Sequence, residues 1–145
     1  MHALYLMRIV TVPKTIRGMM GTFAVAYELS RMGWLVAPTY GNAPEVDLLA
    51  TRNDQTVAIQ VKTTRNPSQG WLLKKSKIAH NIFYVLVAVG KKAIPRYFVL
   101  KGSEIVRFCD NHQTMNAVKM SKIEYEQFEN RWNVLDGHEG LTHYL

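Results

Sequence analysis

The sequence predicts a mixed α/β domain, and three observations lead there. Residues 15 to 32, TIRGMMGTFAVAYELSRM, place apolar side chains at helical spacing. Residues 45 to 64, EVDLLATRNDQTVAIQVKTT, read as two strands joined by a polar turn. Residues 82 to 90, IFYVLVAVG, are the most apolar stretch, and their length and β-branched content favour a buried strand.

Taken in order, MHALYLMRIVTVPK reads as an initial strand or extended arm, because it has no basic n-region or small-residue cleavage site. In the helix that follows, Thr15 is placed to cap the N-terminus and Gly33 to end it in a left-handed conformation. Met19, Val25, Ala26, Leu29 and Met32 supply the apolar stripe. Gly18 and Gly21 weaken the helix, which suggests close approach to another element. Residues 34 to 40 form a strand ending at Pro38, and GNAP is a turn. The hairpin strands are 45 to 52 and 55 to 63. NPSQG is a loop, and WLLKKSKIAHN holds a short helix or helical turns. After the apolar strand, RYFVLKGSEI is another strand running into a turn. Residues 103 to 133 read as mainly helical, with Phe128 and Trp132 as packing anchors.

The chain's 145 residues suit one domain, with a core at about 15 to 107 and C-terminal helices at about 108 to 145. A hydrophobic content of 48% excludes a disordered tail, and no apolar run approaches the roughly 18 to 20 residues of a membrane span. The lone cysteine, Cys109, cannot form an internal disulfide and reads as a small buried hydrophobe. That usage suits a reducing, cytoplasmic setting. His80, His112 and His138 lack zinc-ligand spacing.

The net charge of +7 is unevenly spread. No Asp or Glu occurs from Gln55 to Ser103, whereas Lys62, Arg65, Lys74, Lys75, Lys77, Lys91, Lys92, Arg96 and Lys101 do. The acids gather after Ser103. A one-signed middle segment attracts polyanions, nucleic acid first among them; a solvated basic surface without a partner is the alternative.

The hairpin carries three residues that ordinary strand material does not need: Asp47, Gln60 and Lys62. A type I′ turn centred on Asn53 and Asp54 sets Arg52 opposite Gln55 and Asp47 opposite Gln60. Lys62 then shares a face with Gln60 and lies diagonal to Asp47. Val57, Ile59 and Val61 alternate on the other face, which packs. A carboxylate and an amide oxygen at adjacent sheet positions can hold a hard cation such as Mg²⁺ together with a backbone carbonyl and waters. A lysine beside them can act on a nucleophile or on phosphate charge. Alternatively, Lys62 simply pairs with Asp47 or Glu45 on an exposed face.

These residues resemble the PD-(D/E)XK nuclease superfamily, the restriction-endonuclease-like proteins. Asp47 matches the first acid of the motif, and Gln60-Val61-Lys62 matches the second part with Gln in place of the acid. VDLLA followed by IQVKTT is similar to a Gln-x-Lys branch that includes intron homing endonucleases and small uncharacterised nuclease-like proteins. FYVLV and YFVLKGSEIV resemble the downstream strands, so the likeness covers about residues 15 to 107. There are two departures. Val46 rather than Pro precedes Asp47, and Thr22 stands at the first-helix position where relatives carry Glu. The helix's sole acid, Glu28, lies about 240° further round at roughly 100° per residue, beside Arg31.

The resemblance implies a restriction-endonuclease-like core: a mixed sheet of about four to five strands flanked by helices, with a C-terminal helical extension. It also implies a Mg²⁺- or Mn²⁺-dependent endonuclease acting on nucleic acid, with DNA the preferred substrate. Asp47, Gln60 and Lys62 would be catalytic. Asp47, Gln60 and the Val61 carbonyl would hold the metal, with Glu28 and Thr22 as weaker positions. Arg65, Lys74, Lys75 and Lys77 would hold phosphates, joined more weakly by Lys14 and Arg17. Trp71 has two readings, stacking on a base or filling the core. A homodimer through the C-terminal helices is a further expectation. Thr22 and Gln60 also keep open a catalytically impaired nucleic-acid-binding module.

Overall fold

The computed structural model describes residues 12–40, 45–90, 94–109 and 117–137. The proposed N-terminal arm up to residue 11, the GNAP turn, Lys91, Lys92, His112 and His138 lie outside them.

Helix α1 (Lys14–Arg31) starts one residue earlier than expected, behind Pro13, and Thr15 does not cap it. Proline fixes φ and can enter a helix without losing a needed N–H, so the start requires no side-chain cap. The other end is as expected: Gly33 takes φ +84°, and its N–H bonds to Ser30 O at 3.0 Å. Val25 and Leu29 are fully buried, but Met19 is 54% exposed and lies off the packed stripe. The contact comes instead through Gly21. A Cβ there would sit 1.9 Å from Thr63 Oγ1, so α1 crosses the sheet at this point only because the residue has no side chain. Gly18 has nothing within 4 Å of where its Cβ would be.

Strands β1 (Leu35–Pro38), β2 (Leu48–Arg52) and β3 (Gln55–Thr64) form an antiparallel meander. Pro38 is tolerated because β1 is the sheet edge. Asn53 and Asp54 both have positive φ, 50° and 60°, and Arg52 faces Gln55, as a type I′ turn requires.

The chain then leaves the sheet. A 3-10 turn (Pro67–Gln69) capped by the Asn66 side chain leads to a two-residue strand, β4 (Trp71–Leu72), and a second 3-10 turn (Lys75–Lys77). The helical turns expected here are thus reduced to one, because Trp71 and Leu73 alternate inward with Leu72 and Lys74 outward, a period of two. Strand β5 (Phe83–Ala88) returns parallel to β3, and β6 (Arg96–Lys101) closes the sheet antiparallel to β5. The five-stranded sheet has order β1-β2-β3-β5-β6. The segment between β3 and β5 is therefore a crossover over one sheet face.

Beyond β6 the described residues are less helical than expected. They form α2 (Gly102–Ile105), a 3-10 turn (Val106–Phe108), β7 (Ala117–Val118) paired with β4, α3 (Lys122–Phe128) and a 3-10 turn (Trp132–Leu135). Ser121 and Glu124 make a capping box at α3. Phe128 is buried, and Trp132 packs its ring 5.5 Å from Tyr97, so both anchors hold.

The sheet separates two cores. Val57, Ile59, Val61, Phe83, Val85, Val87 and Val99 pack against Val25 and Leu29 of α1. Tyr84, Leu86, Ala88, Phe98 and Leu100 pack on the other side against Trp71, Leu73, Ile78, Ile105 and Phe128. All six residues of β5 are buried, which explains its unbroken apolar run. Cys109 is buried there, its thiol directed at Ile105 O at 3.7 Å. Among the described residues no helix is long and apolar enough to cross a membrane.

Candidate functional site

The ladder between β2 and β3 ends at Leu48 and Ile59. Beyond it the Asp47 N–H donates to Ile59 O at 2.9 Å, and an Asp47 carboxylate oxygen accepts the Val61 N–H at 2.7 Å. A side-chain oxygen thus replaces the carbonyl that a continuing ladder would offer. Thr39 steadies this stretch from the β1 side: its hydroxyl donates to Val46 O, and its N–H donates to Asp47 O at 3.0 Å. Asp47 is therefore fixed onto the Gln60-Val61-Lys62 strand through the middle residue.

Gln60 and Lys62 open into a cleft of about 280 Å³, whose other walls are Glu45, Leu72, Leu73, Lys74 and Lys77. Gln60 is 9% exposed, and its Oε1 is buried without a hydrogen-bond partner. Leaving an amide oxygen in that state costs about 1–3 kcal/mol, so its orientation asks for an explanation. Beside it on β5, across the parallel ladder, is Tyr84. Burial pushes the Tyr84 hydroxyl's pKa up; the Ala79 N–H, which donates to it at 3.0 Å, works against this, and the negative charge of Glu45 adds to it.

The structure gathers some of the expected residues and disperses others. Lys74 and Lys77 share the cleft with Gln60 and Lys62. Lys75 is exposed on the same 3-10 turn without lining the cleft. Arg17 and Arg65 meet elsewhere: both guanidinium groups donate to Val12 O at 3.4 Å, near the start of α1 where Lys14 also lies. Thr22 donates its hydroxyl to Gly18 O at 3.2 Å, within its own helix. Glu28 is paired with Arg31 at 3.0 Å, and neither Thr22 nor Glu28 lines the cleft. Trp71 is 1% exposed and bonds through Nε1 to Val87 O at 2.9 Å, so it fills the core and is not available to stack on a base.

The sequence gives Glu45 no role beyond pairing with Lys62, yet the residue is a wall of the cleft. The strand expected from residue 45 begins only at Leu48, so Glu45 lies in the turn before it and still faces the side that carries Lys62.

The oxygen donors at this site, a carboxylate and an amide, are the hard type that suits Mg²⁺ or Mn²⁺. Among the described residues no group of three or more His, Cys, Asp or Glu side chains gathers, so any such site is sparse.

No protein-family model matches the chain, and no curated protein matches it in sequence. Solved structures do resemble it. A bacterial homing endonuclease, I-Ssp6803I, superposes with a TM-score of 0.61 at 14% identity, covering 85% of this chain and 91% of its own. Hjc, a Holliday junction resolvase from Archaeoglobus fulgidus, gives a TM-score of 0.52 at 16% identity, covering 81% of this chain and 98% of its own. At such identities the likeness is one of fold, and that fold is the restriction-endonuclease-like, PD-(D/E)XK type.

Proposed function

We propose that the chain is a divalent-metal-dependent endonuclease that hydrolyses phosphodiester bonds in nucleic acid, DNA foremost. One observation carries this reading: Gln60, whose buried Oε1 has no hydrogen-bond partner, lines a lysine-walled cleft on the strand to which Asp47 is bonded, on a fold shared with a homing endonuclease and a junction resolvase.

Asp47, Gln60 and the Val61 carbonyl would hold Mg²⁺ or Mn²⁺. When bound, the cation supplies Lewis-acid polarisation of a phosphate oxygen and eases ionisation of water. Asp47 has a second task, because its bond to the Val61 N–H fixes the strand that presents Gln60 and Lys62. Lys62 would orient the attacking water and offset charge that develops on the scissile phosphate. Lys74 and Lys77 would hold the backbone on either side by phosphate contact, which positions the substrate without reading its sequence. Arg17 and Arg65 form a separate basic position that a longer substrate would reach.

The test is incubation of supercoiled, branched and single-stranded DNA with Mg²⁺ or Mn²⁺, comparing wild type with Asp47→Ala and Lys62→Ala. Cutting by the wild type that is lost in both variants supports the assignment. Cutting that persists in both overturns it. One observation favours a second reading, a binding module without catalysis: the hydroxyl of Thr22, at the position of the family Glu, is used within its own helix. Salt-sensitive DNA binding with no cutting under any of these conditions would establish that reading instead.

A further inference from the structure

Glu45 shares the cleft with Gln60, Lys62, Lys74 and Lys77. Three lysines surround it, yet among the described residues no ion pair within 4.0 Å joins it to any of them. Glu45 and Gln60 therefore line one cavity, and no described donor satisfies the buried Gln60 Oε1. An acceptor left without a donor, on a side chain that shares a cleft with a carboxylate-bearing residue, is what a hard cation satisfies.

We propose that Glu45 supplies a second carboxylate to a divalent cation held with Gln60 and Asp47. The inference rests on the metal-site reading above and adds to it a residue that the resemblance does not supply. It also answers a shortage of charge. With Gln at position 60 and Thr at position 22, Asp47 alone gives one negative ligand, and Mg²⁺ is commonly held by one or two carboxylates. Glu45 reaches the site from the turn before β2, so the second charge comes from neither the helix nor the Gln-x-Lys strand.

The test measures Mn²⁺ binding to the metal-free, full-length protein by electron paramagnetic resonance, without nucleic acid. Glu45→Gln is expected to weaken Mn²⁺ binding about tenfold or more. Glu45→Ala should show the same loss, and Glu45→Gln combined with Gln60→Glu should recover most of it. The loss should persist at high salt, because coordination is short-range whereas a field effect is screened. Melting curves in EDTA that match wild type establish that the variants fold. Wild-type affinity in Glu45→Gln alongside lost affinity in Asp47→Asn would overturn the role of Glu45 and leave the site standing. A loss that vanishes at high salt would overturn it as well. No Mn²⁺ binding by the wild type, or binding unaffected by Asp47→Asn, would bring down the metal-site reading and this inference together.

Discussion

Asp47 has a structural duty that can be separated from its chemistry. Its carboxylate accepts the Val61 N–H at 2.7 Å, and Val61 is 8% exposed. Asp47→Ala removes the acceptor and leaves that amide unpaired beside the apolar core. The cost of such an orphaned group is about 1–3 kcal/mol. With a urea m-value of roughly 1–3 kcal/mol/M, a loss near 2 kcal/mol lowers the unfolding midpoint by about 1 M. Asp47→Asn keeps a side-chain oxygen able to accept the same bond and gives up the charge. It should therefore stay within about 1 kcal/mol of wild type, since a neutral acceptor loses only part of the bond. Urea titrations in EDTA, followed by far-UV circular dichroism, read both variants without interference from metal. DNA cleavage should be lost in both. An Asp47→Ala midpoint equal to wild type would refute the structural role. An Asp47→Asn midpoint as low as that of the alanine variant would show that charge, not acceptor geometry, holds the strand end.

Three other outcomes follow from the packing and charge. Gly21→Ala should destabilise the fold by about 1–2 kcal/mol in urea unfolding, because overpacking against Thr63 outweighs the roughly 1 kcal/mol gain in helix propensity. Lys74→Ala and Lys77→Ala should each weaken DNA binding whatever its sequence, and each should reduce the log–log salt slope by about one. The Glu129 carboxyl is held below its ordinary 4.5 by two hydrogen bonds from Arg96, against a smaller upward push from burial. Burial pushes the Glu104 carboxyl up, but the Arg131 fork and the Lys101 N–H outweigh it and hold it below 4.5 too. A lowered folded pKa adds stability that is complete above the unfolded value and is lost as pH falls through the folded one. Acid unfolding should therefore begin below pH 4.5, and Glu129→Gln should flatten that part of the curve.

The hairpin was legible because two local rules agreed. Asn53 and Asp54 accept positive φ, and Val57, Ile59 and Val61 fix which face packs. Past Leu48 the ladder stops, so alternation did not predict the Asp47–Val61 bond, although the same register sets Glu45 on the face of Lys62, where the cleft holds both. Trp71 could not be assigned from sequence, since an aromatic among lysines looks the same whether it stacks on a base or anchors a loop. The partner that decides it, Val87 O, is sixteen residues away. Gly21 announced its close contact because glycine inside a helix has a cost that something must offset. Short segments such as β4 and β7 carry two residues each, too few for any period to show.

The crossover between β3 and β5 has two sides with different freedoms. Trp71, Leu73 and Ile78 point into the core and tie the segment down, while Leu72, Lys74 and Lys77 are exposed and wall the cleft. Both ends are pinned by a parallel strand pair, so the segment must pass over this face whatever its outward residues are. Lengthening its exposed turn would cost little, about 0.6 kcal/mol for each doubling of a flexible loop. If the proposed nuclease reading holds, substrate preference can drift by exchange of outward side chains on one strap, while the sheet and the residues it presents stay as they are.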